Sequence, residues 1–128
     1  MKYYNAQLPQ TEKVAQNLFI LIKTERVEIK PEEIIYMQAD INYTTFVTLN
    51  RRFTTAFHLG FFEKSLETHP YLIRISKSFI VNINYLKDLS WHKVAKEARL
   101  LDGTSLPISR RRAKELKSVL WQKLNFSA

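Results

Sequence analysis

The chain has 128 residues, 45% of them hydrophobic and 25% charged, which predicts one folded domain with a substantial core. It has no cysteine and only two glycines, which excludes disulfides, thiolate metal sites and the glycine-rich loops of nucleotide-binding proteins. The formal net charge is +8: residues 1–69 hold eight Lys/Arg and eight Asp/Glu, whereas residues 70–128 hold twelve and four. Because the excess is confined to one half, it predicts a polyanionic partner.

The three histidines, His58, His69 and His92, are scattered, and we expect each at the surface or at a sheet edge rather than in a metal site. The amino terminus lacks the apolar segment of a signal peptide, and no apolar run approaches the roughly 20 residues of a membrane span. We therefore expect a cytoplasmic protein with no membrane association and no cofactor.

Residues 1–17 are polar and predict a lead-in with a short helix near Glu12–Gln16, followed by the domain itself over residues 18–128. Short β-branched or alternating apolar runs then predict strands. These runs are Phe19–Thr24, Val27–Lys30, Ile34–Ala39, Thr44–Leu49, Phe53–Phe57, Tyr71–Ile75, Phe79–Tyr85, Leu86–Trp91, Glu97–Leu101 and Ser105–Ile108.

Turn-forming residues separate these runs and predict antiparallel hairpins. The predicted turns are Glu25–Arg26, Asp40–Tyr43, Asn50–Arg52 and Asp102–Gly103, and Pro31–Glu33 predicts a single helical turn. Between His58 and Pro70 the period changes: Leu59, Phe62 and Leu66 lie at helical spacing, and the proline ends the pattern. No strand–helix alternation is present, so a parallel nucleotide-binding sheet is not expected.

A terminal helix is predicted from Arg110 or Arg111 to about Leu124. Its predicted apolar face consists of Ala113, Leu116, Val119, Leu120 and Leu124, and its outer face includes Lys114, Lys117 and Gln122. Because the apolar face must pack on the sheets, this helix cannot lie free in a DNA groove. Contacts to a nucleic acid would therefore come from loops and from the start of the helix. The predicted fold is mainly β, with one internal helix and one C-terminal helix.

Ser109 precedes three arginines, Arg110, Arg111 and Arg112, and is a good helix N-cap. A helix N-terminus carries partial positive charge, so clustered cations there are unfavourable unless an anion lies opposite. The simplest interpretation is an external anion, and for three guanidinium groups a phosphate backbone is the natural one. The alternative is a solvated basic turn.

Three stretches of the chain follow the order and spacing of one known family. They are Pro31–Tyr43, Leu72–Asn82, and Leu101–Gly103 continuing through Pro107–Arg111. Together they resemble the LytTR DNA-binding domain of bacterial transcription regulators, and the resemblance extends over residues 18–124. It implies an elongated fold of short antiparallel sheets whose loops enter successive major grooves of double-stranded DNA. It also implies paired direct-repeat half-sites, with a homodimer possible on the DNA.

The resemblance implies three groups of DNA contacts. They are Asn42, Tyr43 and Thr44; Lys77 and Ser78; and Arg110 and Arg111. The cluster of three arginines adds Arg112 as a further candidate. An arginine can bond guanine O6 and N7 bidentately, and we assign this role to Arg110 or Arg111, leaving Arg112 to phosphate or solvent. Lys77 suits a phosphate or a guanine edge.

The remaining candidates have two interpretations each. Asn42 could bond adenine or could serve the backbone conformation of the turn, and Tyr43 and Ser78 could donate to phosphates or be structural. Asn82 is expected to bond buried backbone. Lys93, Lys96 and Arg99 add positive charge or form a solvated hairpin edge.

Two positions depart from the family pattern: Ser76 stands where His is common, and Gln38 where an acid is common. Ser76 in place of His puts one contact to the DNA backbone in doubt, and Gln38 in place of an acid is expected to affect the structure only. Family members usually carry a receiver or sensor domain, so the chain is either free-standing or part of a larger regulator. The alternatives to DNA binding are an RNA-binding β domain and a module for an acidic protein partner; no catalytic constellation is found, so an enzyme is not expected.

Overall fold

In a computed structural model, the chain is described over residues 17–22 and 24–127. The predicted lead-in up to residue 16, including its short helix, lies outside these residues. Within them the chain forms ten strands and two α-helices. The strands are β1 (Leu18–Ile22), β2 (Glu25–Ile29), β3 (Ile34–Asp40), β4 (Tyr43–Thr48), β5 (Arg52–Thr55), β6 (Leu72–Arg74), β7 (Phe79–Asn82), β8 (Leu86–Trp91), β9 (Lys96–Leu100) and β10 (Ser105–Ile108); the helices are α1 (Leu59–Ser65) and α2 (Arg110–Ser127).

The strands form three sheets, and every pairing in them is antiparallel. β1 and β2 make a hairpin, the central sheet has the order β5-β4-β3-β7-β6, and the third sheet has the order β10-β9-β8. The mainly β fold with one internal and one terminal helix is therefore confirmed. No helix of the described chain is long and apolar enough to cross a membrane.

The central sheet separates two hydrophobic cores, because successive side chains of a strand point to opposite faces. Met37, Phe46 and Ile80 face a first core that the β1–β2 hairpin and α1 complete. The predicted apolar face of α1 is buried there, and Phe62 contacts Phe46 edge to face at 4.8 Å between ring centroids. The helical spacing read from the sequence was therefore correct.

The second core lies on the opposite face of the central sheet and is closed by the third sheet and α2. Tyr36 and Val81, adjacent to residues of the first core, contribute to it. From α2 it takes Ala113, Leu116 and Leu120, as predicted, whereas Val119 is exposed and does not belong to the apolar face. The packing of α2 against the sheets leaves its first turn at the surface.

Several predicted boundaries needed correction. The run from Phe79 to Tyr85 is a strand only as far as Asn82, because the Asn82 side chain accepts a hydrogen bond from the backbone N–H of Asn84 (2.9 Å) and starts a 3₁₀ turn. The turn predicted at Glu25–Arg26 is wrong, since both residues pair within the β1–β2 hairpin.

Two further predictions concern single residues. His69 is buried rather than at the surface, and its Nδ1 lies 3.2 Å from the Tyr71 hydroxyl. The turn predicted at Asp102–Gly103 is confirmed: it connects β9 to β10, and Gly103 adopts φ +93°. Glycine suits this position because it has no Cβ to hinder a left-handed conformation.

Candidate nucleic-acid interface

The first predicted contact region is a two-residue turn, Ile41–Asn42, between β3 and β4, which we call the β3–β4 turn. Asp40 and Tyr43 form the closing pair, so the predicted four-residue turn is shorter than expected. Asn42 and Tyr43 are exposed, as expected for candidate contacts. No hydrogen bond from the Asn42 side chain to the described part of the chain is found.

The strained residue of this turn is Ile41, which sequence reasoning did not select. It has φ +53° and is 89% exposed. A positive φ at the first central position of a two-residue hairpin turn is usually met by glycine, and a β-branched residue there is an outlier. The left-handed backbone conformation of this turn is therefore at Ile41 and not at Asn42. A need for this conformation does not explain the asparagine at position 42.

Thr44 was predicted as a DNA contact, and the structure contradicts this. Its side chain is fully buried, and its hydroxyl donates to the Phe57 carbonyl at 2.7 Å. Thr44 begins the inward-facing alternation of β4 and ties that strand to the segment between β5 and α1. It is a fold residue, and its hydroxyl is not available to a ligand.

The second predicted region is the segment Ser76–Ser78 between β6 and β7, which we call the Lys77 loop. Lys77 is exposed, whereas Ser78 is half-buried and its carbonyl accepts from the Ala39 N–H at 2.8 Å. Ser76 is buried, and its hydroxyl accepts from the Ser78 N–H at 3.1 Å. The residue that departs from the family pattern therefore serves the shape of this loop.

Arg74, which was not among the predicted contacts, holds the Lys77 loop in place through its guanidinium group. Its Nε donates to the Ser76 carbonyl and its Nη2 to the Lys77 carbonyl, both at 2.7 Å. Its Nη1 bonds Glu63 of α1, also at 2.7 Å. An arginine at the end of an otherwise apolar strand is the sequence signal that could have found it.

The third region is the segment Ser109–Arg112, which we call the helix start. The predicted N-cap is confirmed, because the Ser109 hydroxyl accepts from the Arg112 N–H at 3.1 Å. The Ser109 N–H donates to the Ile75 carbonyl at 2.9 Å, which fixes the helix start beside the Lys77 loop. Arg110 and Arg111 are exposed.

Arg112 is partly engaged inside the protein. Its Nη2 lies 3.7 Å from Glu63 and its Nη1 3.9 Å from Glu115, and its side chain is only 30% exposed. The inference that all three arginines need an external anion was therefore wrong for Arg112, since a carboxylate from α1 lies opposite it. Glu63 is far from Arg112 in sequence, and only the packing of α1 brings them together.

The Lys77 loop and the helix start line one cleft of about 400 Å³. Its lining residues are Arg74, Ser76, Lys77, Ser109, Arg111 and Arg112. The structure thus brings two of the three predicted regions into one cationic site. The β3–β4 turn does not line this cleft, but it begins two residues after Ala39, whose N–H donates to the Ser78 carbonyl of the Lys77 loop.

More positive charge flanks the helix start on its other side. A second cleft, of about 610 Å³, is lined by Trp91, Lys96, Arg110, Arg111, Ala113, Lys114 and Lys117. Lys96, which lines this cleft, donates to the His92 carbonyl at 2.8 Å, whereas Arg99 lies outside it and pairs with Asp88 at 2.6 Å. Arg111 lines both clefts, and Arg110 lines the second.

Three polar residues, Asn82, His69 and Tyr71, lie partly or fully inside the fold. Asn82 is fully buried and donates to the Ile34 carbonyl at 2.9 Å, so its predicted fold role is confirmed. Burial lowers the pKa of His69, with Glu32 opposing, and burial together with Glu32 raises the pKa of Tyr71. Neither group lines the cationic clefts.

Comparison with known proteins identifies related sequences over most of the chain. The family model of the LytTr DNA-binding domain matches residues 24–121. The chain is 28% identical to the sensory transduction protein LytT of Bacillus subtilis, over 93% of this chain and 51% of that protein. It is 31% identical to the heme-containing CO-sensing transcriptional regulator RcoM 2 of Paraburkholderia xenovorans, over 77% of this chain and 37% of that protein. It therefore spans about half the length, or less, of these relatives.

A solved structure shows the same fold. The LytTr DNA-binding domain of a Bacillus cereus protein described as a methyl-accepting/DNA response regulator aligns with a TM-score of 0.70. The alignment covers 81% of this chain and 95% of that domain, at 21% identity. At this identity the likeness is one of fold.

Proposed function

Because the chain belongs to the LytTR DNA-binding domain family, we propose that it binds double-stranded DNA at specific sequences and acts in transcription regulation. The observation that carries the proposal is the cleft shared by Lys77 and Arg111, where two segments distant in sequence present cations to the same side. Guanidinium and ammonium groups clustered in this way suit a phosphate backbone and the guanine edges beside it.

We propose that the loops enter the major groove and divide the contacts. Arg110 or Arg111 bonds guanine, and the other bonds phosphate together with Lys77. Asn42, whose side chain is exposed, bonds adenine or a phosphate. Tyr43 and Ser78 donate to phosphates. Thr44 is excluded by its burial, and Arg112 contributes positive charge rather than a direct base contact.

The chain's partner arrangement is also a proposal. We propose two copies on paired direct-repeat half-sites, with dimerisation on the DNA, in the cytoplasm. The relatives' names describe sensory and transcriptional regulators, and the chain matches only part of their length.

Selection of bound sites from random duplex DNA at near-physiological salt tests the proposal. We expect an enriched motif repeated at a fixed spacing, and affinity that falls as log salt rises, by a slope of about −0.9 per phosphate contact. Single-stranded RNA of matched length serves as the competitor. An absence of any enriched motif, together with preference for the RNA, would contradict the proposal in favour of an RNA-binding domain.

A further inference from the structure

Glu63 and Arg74 connect the two parts of the cationic cleft. Arg74 is 14% exposed and uses its guanidinium to reach two carbonyls of the Lys77 loop and one oxygen of the Glu63 carboxylate, each at 2.7 Å. The other oxygen of Glu63 lies 3.7 Å from Arg112, in the first turn of α2. One carboxylate thus stands between an arginine that holds the loop and an arginine on the helix.

We propose that Arg74 and Glu63 are positioning residues for DNA recognition. They set the distance between the Lys77 ammonium and the guanidinium groups of the helix start. A planar guanidinium with three partners has little freedom, so the carbonyls of Ser76 and Lys77 are fixed relative to α1. The charge of Glu63 then holds Arg112, and with it the first turn of α2, to the same point.

Base reading makes this spacing matter. A bidentate contact to guanine and a phosphate contact on the same duplex are compatible only within a narrow range of separations, whereas non-specific binding depends mainly on the number of cations. Loss of the connection should therefore reduce the ratio of specific to non-specific affinity more than it reduces non-specific affinity. A purely structural role would reduce both by reducing the folded fraction.

A double-mutant cycle on the selected duplex tests the proposal, which rests on the proposed function. Arg74→Lys keeps the positive charge but loses the planar guanidinium group that bonds three partners. We expect it to weaken specific binding about tenfold, the effect of one lost charge-assisted hydrogen bond, and to change binding of unrelated duplex by less than about twofold. In the Lys77→Ala background the same substitution should have little further effect, because the contact through which Arg74 acts is already gone.

Two more variants sharpen the cycle. Glu63→Gln keeps an acceptor for Arg74 but removes the charge that holds Arg112; we expect unrelated duplex to bind more tightly and the specificity ratio to fall. Arg99→Lys alters the exposed pair with Asp88, outside both clefts, and should change neither affinity. If Arg74→Lys does not fold, as shown by circular dichroism, Glu63→Gln replaces it in the cycle.

The outcomes separate the two proposals. An Arg74→Lys penalty that is equally large in the Lys77→Ala background, or no penalty at all, overturns the positioning role. The same applies to Glu63→Gln if its specificity ratio is that of the unaltered protein. Failure of the unaltered protein to bind duplex DNA counts against the proposed function instead.

An independent observation concerns Ile41. Its side chain is 89% exposed although its backbone adopts φ +53°, a conformation that costs an L-residue roughly 1–2 kcal/mol. Because the Ile41 side chain is exposed, burial of that side chain does not offset this strain within the fold. Ile41 lies beside the exposed residues Asn42 and Tyr43. We infer that Ile41 contacts the 5-methyl group of a thymine in the major groove, where apolar side chains recognise that methyl.

Replacing each thymine of the selected site by deoxyuridine tests this contact, which also rests on the proposed function. We expect one position to lose affinity about fourfold, the effect of burying a single methyl group. Ile41→Ala should lose a similar amount on the thymine duplex and should be insensitive to the replacement. A selected site without a required thymine, or the same deoxyuridine penalty in Ile41→Ala, overturns the inference, whereas a protein that binds no duplex counts against the proposed function.

Discussion

The Lys77 loop and the helix start differ from the β3–β4 turn in how the rest of the protein holds them. The first two are fixed by Arg74, by the Ser109 cap and by the bond from Ser109 to Ile75. The turn instead presents side chains with no partner in the described chain and carries its strain at Ile41. The Lys77 loop and the helix start, which are fixed by these hydrogen bonds, suit contacts that require a fixed geometry, such as bidentate bonds to guanine. The β3–β4 turn, whose side chains lack such bonds, suits contacts that adjust to the shape of the groove.

If the Lys77 loop and the helix start make most of the specific DNA contacts, substitutions at the helix start should reduce DNA affinity most. We expect Arg110→Ala combined with Arg111→Ala to remove roughly 1–3 kcal/mol of discrimination at one base pair. The salt slope should also fall by about 0.9 for the phosphate contact that is lost. Asn42→Ala should have a smaller effect. Fluorescence anisotropy titrations across a salt series measure both, and Arg99→Ala, which removes one cation outside both clefts, is the control for a general loss of positive charge. A larger loss for Asn42→Ala would reverse the comparison.

Thr44, the buried residue that follows the β3–β4 turn in β4, tests whether this position serves the fold or the DNA. Thr44→Val keeps the shape but removes the buried donor to the Phe57 carbonyl, so we expect the free energy of unfolding to fall by about 1–3 kcal/mol. Urea denaturation measures it, and Thr68→Val, at an exposed position after α1, should stay within about 0.5 kcal/mol. Affinity for DNA should persist where the variant is folded. A stable variant with weakened binding would restore Thr44 as a DNA contact.

The strain at Ile41 predicts a gain in stability. Asparagine tolerates the left-handed region, so Ile41→Asn should raise the free energy of unfolding by about 1 kcal/mol. Val94→Asn replaces another exposed apolar loop residue, at a position without positive φ, and should have an effect within about 0.5 kcal/mol. Thermal and urea denaturation of both variants check the expectation. Equal effects would mean that the turn is not strained.

The smallest expected effect is a pH dependence of stability that comes from His69, a buried residue outside both clefts. Burial lowers the folded-state pKa of His69, with Glu32 opposing, so the folded protein binds a proton less readily than the unfolded chain. The stabilisation is complete above the unfolded-state pKa of about 6.5 and is lost as the pH falls through the lowered folded-state value. His69→Gln should therefore show a shallower fall in urea midpoint from pH 7 to pH 5. Parallel curves for the two proteins would contradict this.

Much of the fold could be predicted because it depends on local patterns. The spacing of Leu59, Phe62 and Leu66, the Ser109 cap, and the turn at Gly103 each involve neighbours within a few residues, and each is confirmed. The burial of Thr44 and His69 was not predicted. Polar side chains are ordinarily exposed unless a partner is supplied, and those partners are visible only when the elements pack.

For this protein the sequence by itself indicated a polyanionic partner and the segments that carry the cations, because charge imbalance and turn chemistry are properties of the local chain. The family followed from the resemblance of three stretches to the LytTR DNA-binding domain. The tertiary structure decided which cations act together. Glu63 lies between Arg74 and Arg112 only because α1, β6 and α2 pack around one point, and electrostatic interactions depend on distances in space that sequence separation does not reveal. It also decided that Arg112 has an internal carboxylate to pair with, leaving Arg110 and Arg111 exposed at the surface.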